Sequence, residues 1–188
     1  VLQKKEEYDE AESLFRRALA IDEATHGPDH EETGISINDL AKVLQKKEEY
    51  DEAESLFRRA LSFAEAKHGP DDEETRISIY NLATVLQKNE EYDEAEELFR
   101  RVLAIAEATH GPDHQETGAS VQNLAWVLQD NGDYDAAETM CSRALAIGEA
   151  MHGPDHRDTV YSRGLLGRNI LLCGGSNSAE GRAMIEDA

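Results

Sequence analysis

Histidine pairs are the side chains of this sequence whose spacing could support chemistry. Each pair flanks a Gly-Pro-Asp segment, and the pairs are His26 with His30, His110 with His114, and His152 with His156. Two imidazoles beside an aspartate could form a weak Zn²⁺ or Ni²⁺ site. However, structural zinc usually needs a complete tetrahedral set of ligands, and the segment after His68 has Asp72 in place of a second histidine. We therefore interpret the histidines as loop residues, and predict no metal site and no cofactor.

The other reactive groups lack the partners that catalysis requires. Cys141 and Cys173 form no Cys-x-x-Cys motif, and the turn at 174–176 lacks the lysine of a phosphate-binding loop. The abundant carboxylates fall near helix starts and on solvated faces. Because no Ser-His-Asp or Cys-His arrangement stands out from this pattern, we predict that the chain is not an enzyme.

The elements that position these residues are copies of one repeated unit. The segment VLQKKEEYDEAESLFRRAL occurs twice without change, 42 positions apart, and returns twice with substitutions. Its four copies lie at 1–19, 43–61, 85–103 and 127–145. A unit of this length must stack on its neighbours to bury an apolar core. We predict a single array over residues 1–188, with units at 1–28 (partial, helix B), 29–70, 71–112, 113–154 and 155–188 (degenerate).

Each unit is predicted to contain two amphipathic helices, A and B. In the second unit helix A is expected over about 30–46 and helix B over about 52–67, from the 3.6-residue periodicity of their apolar residues. Asp29 and Asp51 are each followed by glutamate three residues later, which predicts N-caps for helices A and B, and the other units repeat both patterns. Gly27 and its equivalents predict left-handed residues after helix B. Cys141 replaces a phenylalanine of the earlier copies on helix B, so we expect it to be buried.

The residues on these helices resemble the tetratricopeptide repeat signature. The matching residues of the second unit are Leu40, Ala41, Tyr50, Ala53, Leu56, Phe57 and Ala60. The 42-residue period, with Asn-Leu-Ala on helix A and Gly-Pro-Asp-His after helix B, is similar to the repeats of kinesin light chains and of NB-ARC–tetratricopeptide proteins. The resemblance implies an all-α fold, a right-handed superhelical solenoid of stacked antiparallel helix pairs whose A helices line a concave face.

Composition restricts the partners of such an array. The chain has 40 acidic and 19 basic residues and a formal net charge of −21. This balance argues against nucleic acid or an anionic membrane surface as the main partner. No apolar run approaches the roughly 20 residues that span a bilayer. Together with the unpaired cysteines, these features predict a cytoplasmic protein.

The candidate binding residues lie on the A helices, off their apolar stripe. They are Asn38, Lys42, Tyr80, Asn81, Thr84, Lys88, Gln122, Asn123, Trp126 and Arg168. Trp126 allows two interpretations, packing of its ring against the adjacent A helix or an aromatic anchor for a ligand. The A helices carry more lysine and arginine than the acidic B helices, which permits an acidic ligand. The acidic total instead favours basic segments on the opposite face.

We therefore predict a non-enzymatic scaffold that binds an extended peptide or a partner protein along the concave A-helix groove. Two alternatives remain open at this stage. The array could be the sensor or regulatory segment of a larger NB-ARC-type nucleotide-dependent switch protein. It could also be a structural array that self-associates through open ends.

Overall fold

The computed structural model describes the backbone of residues 2–174 and 183, and the side chains of residues 7–173 and 183. This part of the chain contains eight helices and no strand, which confirms the predicted all-α fold. The helices are α1 (Leu2–His26), α2 (Glu31–Lys46), α3 (Tyr50–His68), α4 (Glu73–Lys88), α5 (Tyr92–His110), α6 (Gln115–Asn131), α7 (Tyr134–His152) and α8 (Arg157–Gly174). Helices α2, α4, α6 and α8 are the predicted A helices. Most of the degenerate turn and final segment predicted at 173–188 lies outside the described residues.

The chain divides into two compact units, Val1–Glu91 and Tyr92–Ala188. From here on, the first and second unit are these two halves and not the 42-residue repeats. In the first unit, α1 packs on α2, α2 on α3, and α3 on α4. In the second unit, α5 to α8 pack consecutively in the same way, and the A helices α6 and α8 also touch each other directly. The consecutive packing of amphipathic helices buries the stripe of each helix against its neighbours in the unit.

The buried stripes are those that the periodicity predicts. On α2 the buried apolar residues are Ile37, Leu40, Ala41 and Leu44, and on α3 they are Ala53, Phe57, Ala60, Leu61 and Ala64. In the second unit Cys141 occupies the position equivalent to Phe57, and its side chain is fully buried beside Leu165 and Leu166. Burial raises the pKa of the Cys141 thiol to about 12, because the thiolate would lose its hydration. The thiol is therefore a protonated core residue.

The predicted N-caps of the A helices, Asp29 and its equivalents, are wrong by one position. Helices α4 and α6 follow Asp72 and His114, whose side chains accept hydrogen bonds from the N–H groups of Glu74 (2.9 Å) and Glu116 (3.2 Å). The Gly-Pro-Asp turn is not yet helical, so the cap falls on the residue after it. Histidine and aspartate both offer an acceptor to an unpaired N–H at the helix start, although His30 before α2 makes no such hydrogen bond.

The predicted caps of the B helices, Asp51 and its equivalents, are also wrong, because these residues lie inside the first turn. Helix α3 begins at Tyr50 after an uncapped Glu49, and Asp133 caps α7 through the N–H of Ala136 at 3.1 Å. The carboxylate of Asp51 instead accepts from Asn89 Nδ2 at 3.4 Å, at the end of the next A helix. These aspartates therefore join successive repeats within a unit.

Glycines at the ends of the B helices have the positive φ that was predicted. Gly69 has φ 97° and ψ 163°, and Gly153 has φ 85° and ψ 173°. The extended ψ differs from the left-handed helical conformation that was expected, and only glycine adopts this region readily. The Gly69 carbonyl then accepts a hydrogen bond from the Thr75 hydroxyl at 2.7 Å, which ties helix B to the start of the following helix A.

The first copy of the repeated segment adopts a different local structure from the second. Residues 44–61 contain a turn, with Glu48 at φ 64°, whereas the identical residues 2–19 form part of one continuous helix. A non-glycine residue at positive φ costs roughly 1–2 kcal/mol. In the second copy the packing of α2 on α3 offsets this cost.

Candidate functional site

The A helices of the second unit enclose an open pocket, here called the aromatic pocket. It has a volume of about 420 Å³ and is lined by Trp126, Arg157, Val160, Tyr161, Gly164, Leu165 and Arg168. Its walls are mostly apolar, and two arginines are among the lining residues. Concave sites of this kind, apolar with a few placed polar groups, are typical ligand sites.

Three side chains of the pocket form one stack. The rings of Trp126 and Tyr161 lie with centroids 6.1 Å apart and planes inclined by 17°. The Arg168 guanidinium lies 5.1 Å from the centroid of the Trp126 ring, and its Nη2 donates to Asp130 Oδ1 at 3.1 Å. Trp126 thus packs against α8, and it also remains 37% exposed on the pocket wall. Cation–π and charge-assisted contacts hold the guanidinium in place before any ligand arrives.

Hydrogen bonds between α6 and α8 fix the distance across the pocket. Gln122 Nε2 donates to the Asp158 carbonyl at 3.2 Å and to the Ser162 hydroxyl at 2.8 Å. Near the other end, the buried Gln129 donates from Nε2 to the Leu165 carbonyl at 2.9 Å. Gln122, a predicted ligand contact, therefore uses both amide hydrogens inside the protein and acts as a link between helices.

The A-helix surface of the first unit carries a second, polar pocket. Its volume is about 410 Å³, and its lining residues are Gln45, Lys46, Glu48, Tyr50, Tyr80, Asn81, Thr84 and Lys88. Four predicted site residues, Tyr80, Asn81, Thr84 and Lys88, come together here. The Thr84 hydroxyl donates to the Tyr80 carbonyl at 2.8 Å, while the lysine side chains are exposed.

Other predicted site residues line neither pocket. Lys42 is exposed on α2, Asn123 is half-buried on α6, and Asn38 donates from Nδ2 to the Gly34 carbonyl at 3.4 Å. The sequence reasoning also missed a central residue of the aromatic pocket. Tyr161 stands at the same position of its repeat as Ile77, which lies on an A-helix face. Carrying the repeat register into the last repeat would have identified it.

Comparison with known families explains this architecture. The sequence profile of the family described as "Tetratricopeptide repeat" matches residues 1–66, 74–140 and 119–179. The chain belongs to the tetratricopeptide repeat family. This confirms the predicted resemblance, and the family's repeat is in general a non-enzymatic scaffold. No curated protein sequence matched the chain.

Solved structures with the same architecture include kinesin-light-chain-like repeats. The nearly identical TPR-like repeats of a Podosopora anserina protein assigned to the kinesin light chains are 25% identical, with a TM-score of 0.86 over 98% of this chain and 87% of that one. BtubC (BKLC) from P. vanneervenii is 22% identical, with a TM-score of 0.80 over 98% of this chain and 72% of its own. YrrB, described as a TPR protein with an unusual peptide-binding site, is 18% identical, with a TM-score of 0.60 over 99% of this chain and 78% of its own.

Over the described residues, no helix combines the length and the apolar character needed to cross a bilayer. The helices alternate buried and charged faces instead, as expected for repeats that pack on one another.

Proposed function

We propose that this array binds a peptide segment of a partner protein at the aromatic pocket. The tetratricopeptide fold itself supports a protein–protein interaction scaffold. The observation that carries the finer proposal is the preformed stack of Trp126, Tyr161 and Arg168 around an open cavity. Tryptophan, tyrosine and arginine are the residues that most often dominate binding energy at interfaces. The similarity to YrrB, described as having a peptide-binding site, supports the same class of ligand.

The chemistry of the pocket indicates the kind of segment that fits. Apolar walls at Val160, Leu165 and the aromatic rings favour an aromatic or branched aliphatic side chain of the ligand. The Arg157 side chain is 93% exposed, and its Nε lies 3.6 Å from Asp158. An acidic residue beside the ligand's apolar side chain could reach Arg157 or the outer face of Arg168. We therefore propose an acidic segment with a bulky apolar residue as the ligand.

The polar pocket of the first unit is proposed as a separate contact surface for acidic segments. Lys46 and Lys88 supply positive charge there, and Tyr80 and Asn81 supply hydrogen-bonding groups. Lys42, Asn38 and Asn123 are proposed as flanking contacts on their own A helices, while Gln122 contributes by holding the pocket together. Exposed lysines add mainly to association rate and specificity, because solvent screens their charge.

The test compares Trp126→Ala with Ile77→Ala. Ile77 is 46% exposed and occupies, in the first unit, the position of Tyr161. Peptides selected from an array on the unmodified chain would be titrated against both variants by calorimetry. A hot-spot role for Trp126 predicts that Trp126→Ala loses about 2 kcal/mol or more of peptide-binding free energy. Ile77→Ala should bind the peptides as the unmodified chain does. Unchanged affinity with a lower melting temperature in Trp126→Ala would show that the ring serves packing alone.

No described feature favours the nucleotide-dependent switch alternative.

A further inference from the structure

A cluster of three potential metal ligands lies at the junction of α7 and α8, outside both pockets on the A helices. His152, His156 and Asp158 each offer one ligand atom, and these atoms all lie within 4.8 Å of one another. The two imidazoles stack with centroids 4.2 Å apart and planes inclined by 27°. Both histidines are exposed, and Asp158 is half-buried.

The backbone holds these groups in a defined arrangement. His152 ends α7, His156 is the residue before α8, and Asp158 lies in the first turn of α8. The Asp158 N–H donates to His156 Nδ1 at 3.3 Å, and the same Nδ1 lies 3.8 Å from Asp158 Oδ2. Ligands at about 2.0–2.2 Å from a tetrahedral zinc ion lie roughly 3.3–3.5 Å from each other. The three ligand atoms therefore lie farther apart than they would around one ion, and binding requires the side chains to rotate toward one another.

Comparison with the other copies distinguishes this junction. The pairs His26–His30 and His110–His114 also stack, with centroids 4.7 and 4.8 Å apart, and Glu32 and Glu116 hold the position of Asp158. The Glu32 carboxylate contacts His30 Nδ1, but neither pair forms a convergent group of three ligands in the described part of the chain. In the His110–His114 pair, the Nε2 atom of His110 is buried and turned away from solvent. Among the described residues, the junction at 152–158 is the one group of three candidate ligands so arranged.

We propose that His152, His156 and Asp158 bind a divalent transition-metal ion of the Zn²⁺ type. Two imidazole nitrogens and one carboxylate suit Zn²⁺, Ni²⁺ or Cu²⁺ better than Mg²⁺ or Ca²⁺, which prefer oxygen ligands. A cavity of about 230 Å³ beside His152 and Asp158 leaves room for water as a further ligand. The net charge of −21 also attracts cations to the surface. Binding through His156 Nδ1 replaces its cap hydrogen bond, which lowers the affinity relative to a preformed site.

The test titrates Zn²⁺ into the untagged chain and follows heat and the histidine ring resonances. One ion per chain should bind, and the shifts should belong to His152 and His156. His156→Asn retains a side-chain acceptor for the helix cap but removes the imidazole. Asp158→Asn removes the carboxylate and leaves the Asp158 carbonyl that accepts from Gln122. Each variant should bind Zn²⁺ at least tenfold more weakly, with circular dichroism unchanged.

The matched control is His26→Ala, which removes a stacked histidine from a pair without the aspartate, and its affinity for Zn²⁺ should be unaltered. Mg²⁺ should neither bind at the junction nor compete. The proposal is overturned if no saturable binding occurs, if His156→Asn binds as the unmodified chain does, or if Mg²⁺ displaces Zn²⁺. Equal losses in His26→Ala and His156→Asn would also reject it, because they would indicate binding at every histidine pair.

Discussion

Two surfaces that are equivalent by repeat register differ most in the size of the side chain at one position. Gly164 in the aromatic pocket lies two periods of 42 residues after Tyr80 in the first unit. Tyr80 occupies its surface with a ring that is 37% exposed, whereas Gly164 leaves that space open beside Tyr161. A glycine inside a helix usually weakens that helix. The comparison shows that the same glycine creates the opening of the pocket.

The remaining differences between the surfaces follow the same register. In the second unit, Trp126, Tyr161 and Arg168 replace Lys42, Ile77 and Thr84 of the first unit. Helices α2, α4 and α6 keep nearly identical buried stripes, whereas α8 departs from them, with Arg163 at the position of Ile79. A constant core with a variable A-helix face is the arrangement expected of a repeat scaffold that has diversified for binding. The two faces therefore differ in surface chemistry while sharing most of their buried core.

The largest expected effect is on the free energy of unfolding, and it tests the buried helix core beneath the two surfaces. Phe57→Ala removes a fully buried ring from α3, and such changes cost about 3–5 kcal/mol. The equivalent Cys141→Ala in the second unit removes far less volume and should cost about 1 kcal/mol. Chemical denaturation followed by circular dichroism measures both variants. We infer that the phenylalanine ring fills this buried position in the first unit, and that neighbouring side chains mainly fill it in the second. Similar losses of unfolding free energy in the two variants would contradict this inference.

The next prediction concerns a substitution that makes the aromatic pocket resemble the surface of the first unit. Gly164→Tyr places in the aromatic pocket the residue that the first unit has at Tyr80. Peptide affinity should fall about tenfold or more, because the ring would occupy the space of the ligand. Helix propensity should rise by a few tenths of a kcal/mol, so the fold should be retained. Calorimetry with the selected peptides measures the loss, and unaltered affinity would show that the ligand does not enter this pocket.

A smaller effect separates charge from geometry in the aromatic pocket. Arg168→Lys keeps the positive charge but loses the planar guanidinium over Trp126 and its contact with Asp130. Because cation–π contacts contribute about 0.5–1 kcal/mol at exposed sites, peptide binding should weaken by a similar amount. Lys88→Arg in the polar pocket is the matched control and should change affinity little. An Arg168→Lys variant that binds as well as the unmodified chain would indicate a role for charge alone.

The sequence predicts most of the buried helix stripes and less of the candidate pockets. Periodicity identifies the stripes around Leu40 and Phe57, because burial needs one apolar face on each helix. The caps are missed by one position, because His30 and Asp72 follow a turn whose length is set by the packing of the helices. The depth of the aromatic pocket is missed as well. It depends on Tyr161 and Gly164 meeting Trp126 across two helices, which a pattern within one helix does not reveal.

The smallest expected effect concerns a contact that the two units make with different chemistry. In the first unit Lys47 contacts Glu12 and lies 2.7 Å from Asp9, whereas in the second unit Asn131 donates to Asp93 at 3.1 Å. Hydrogen bonds from Lys47 and Arg16 lower the pKa of Glu12 below its ordinary value. The unfolded chain therefore binds more protons at this group, and its stabilising contribution is present above the ordinary carboxyl pKa and lost as the pH falls through the lowered value.

Lys47→Asn gives the first unit the contact that the second already has. The variant should be slightly less stable than the unmodified chain near neutral pH, and the difference should shrink on acidification through the carboxyl range. Thermal unfolding at a series of pH values measures it, with Asn131→Ala as the uncharged comparison whose effect should change less with pH. A stability difference for Lys47→Asn that is independent of pH would show that Lys47 stabilises the repeat junction through packing of its alkyl chain and not through Glu12.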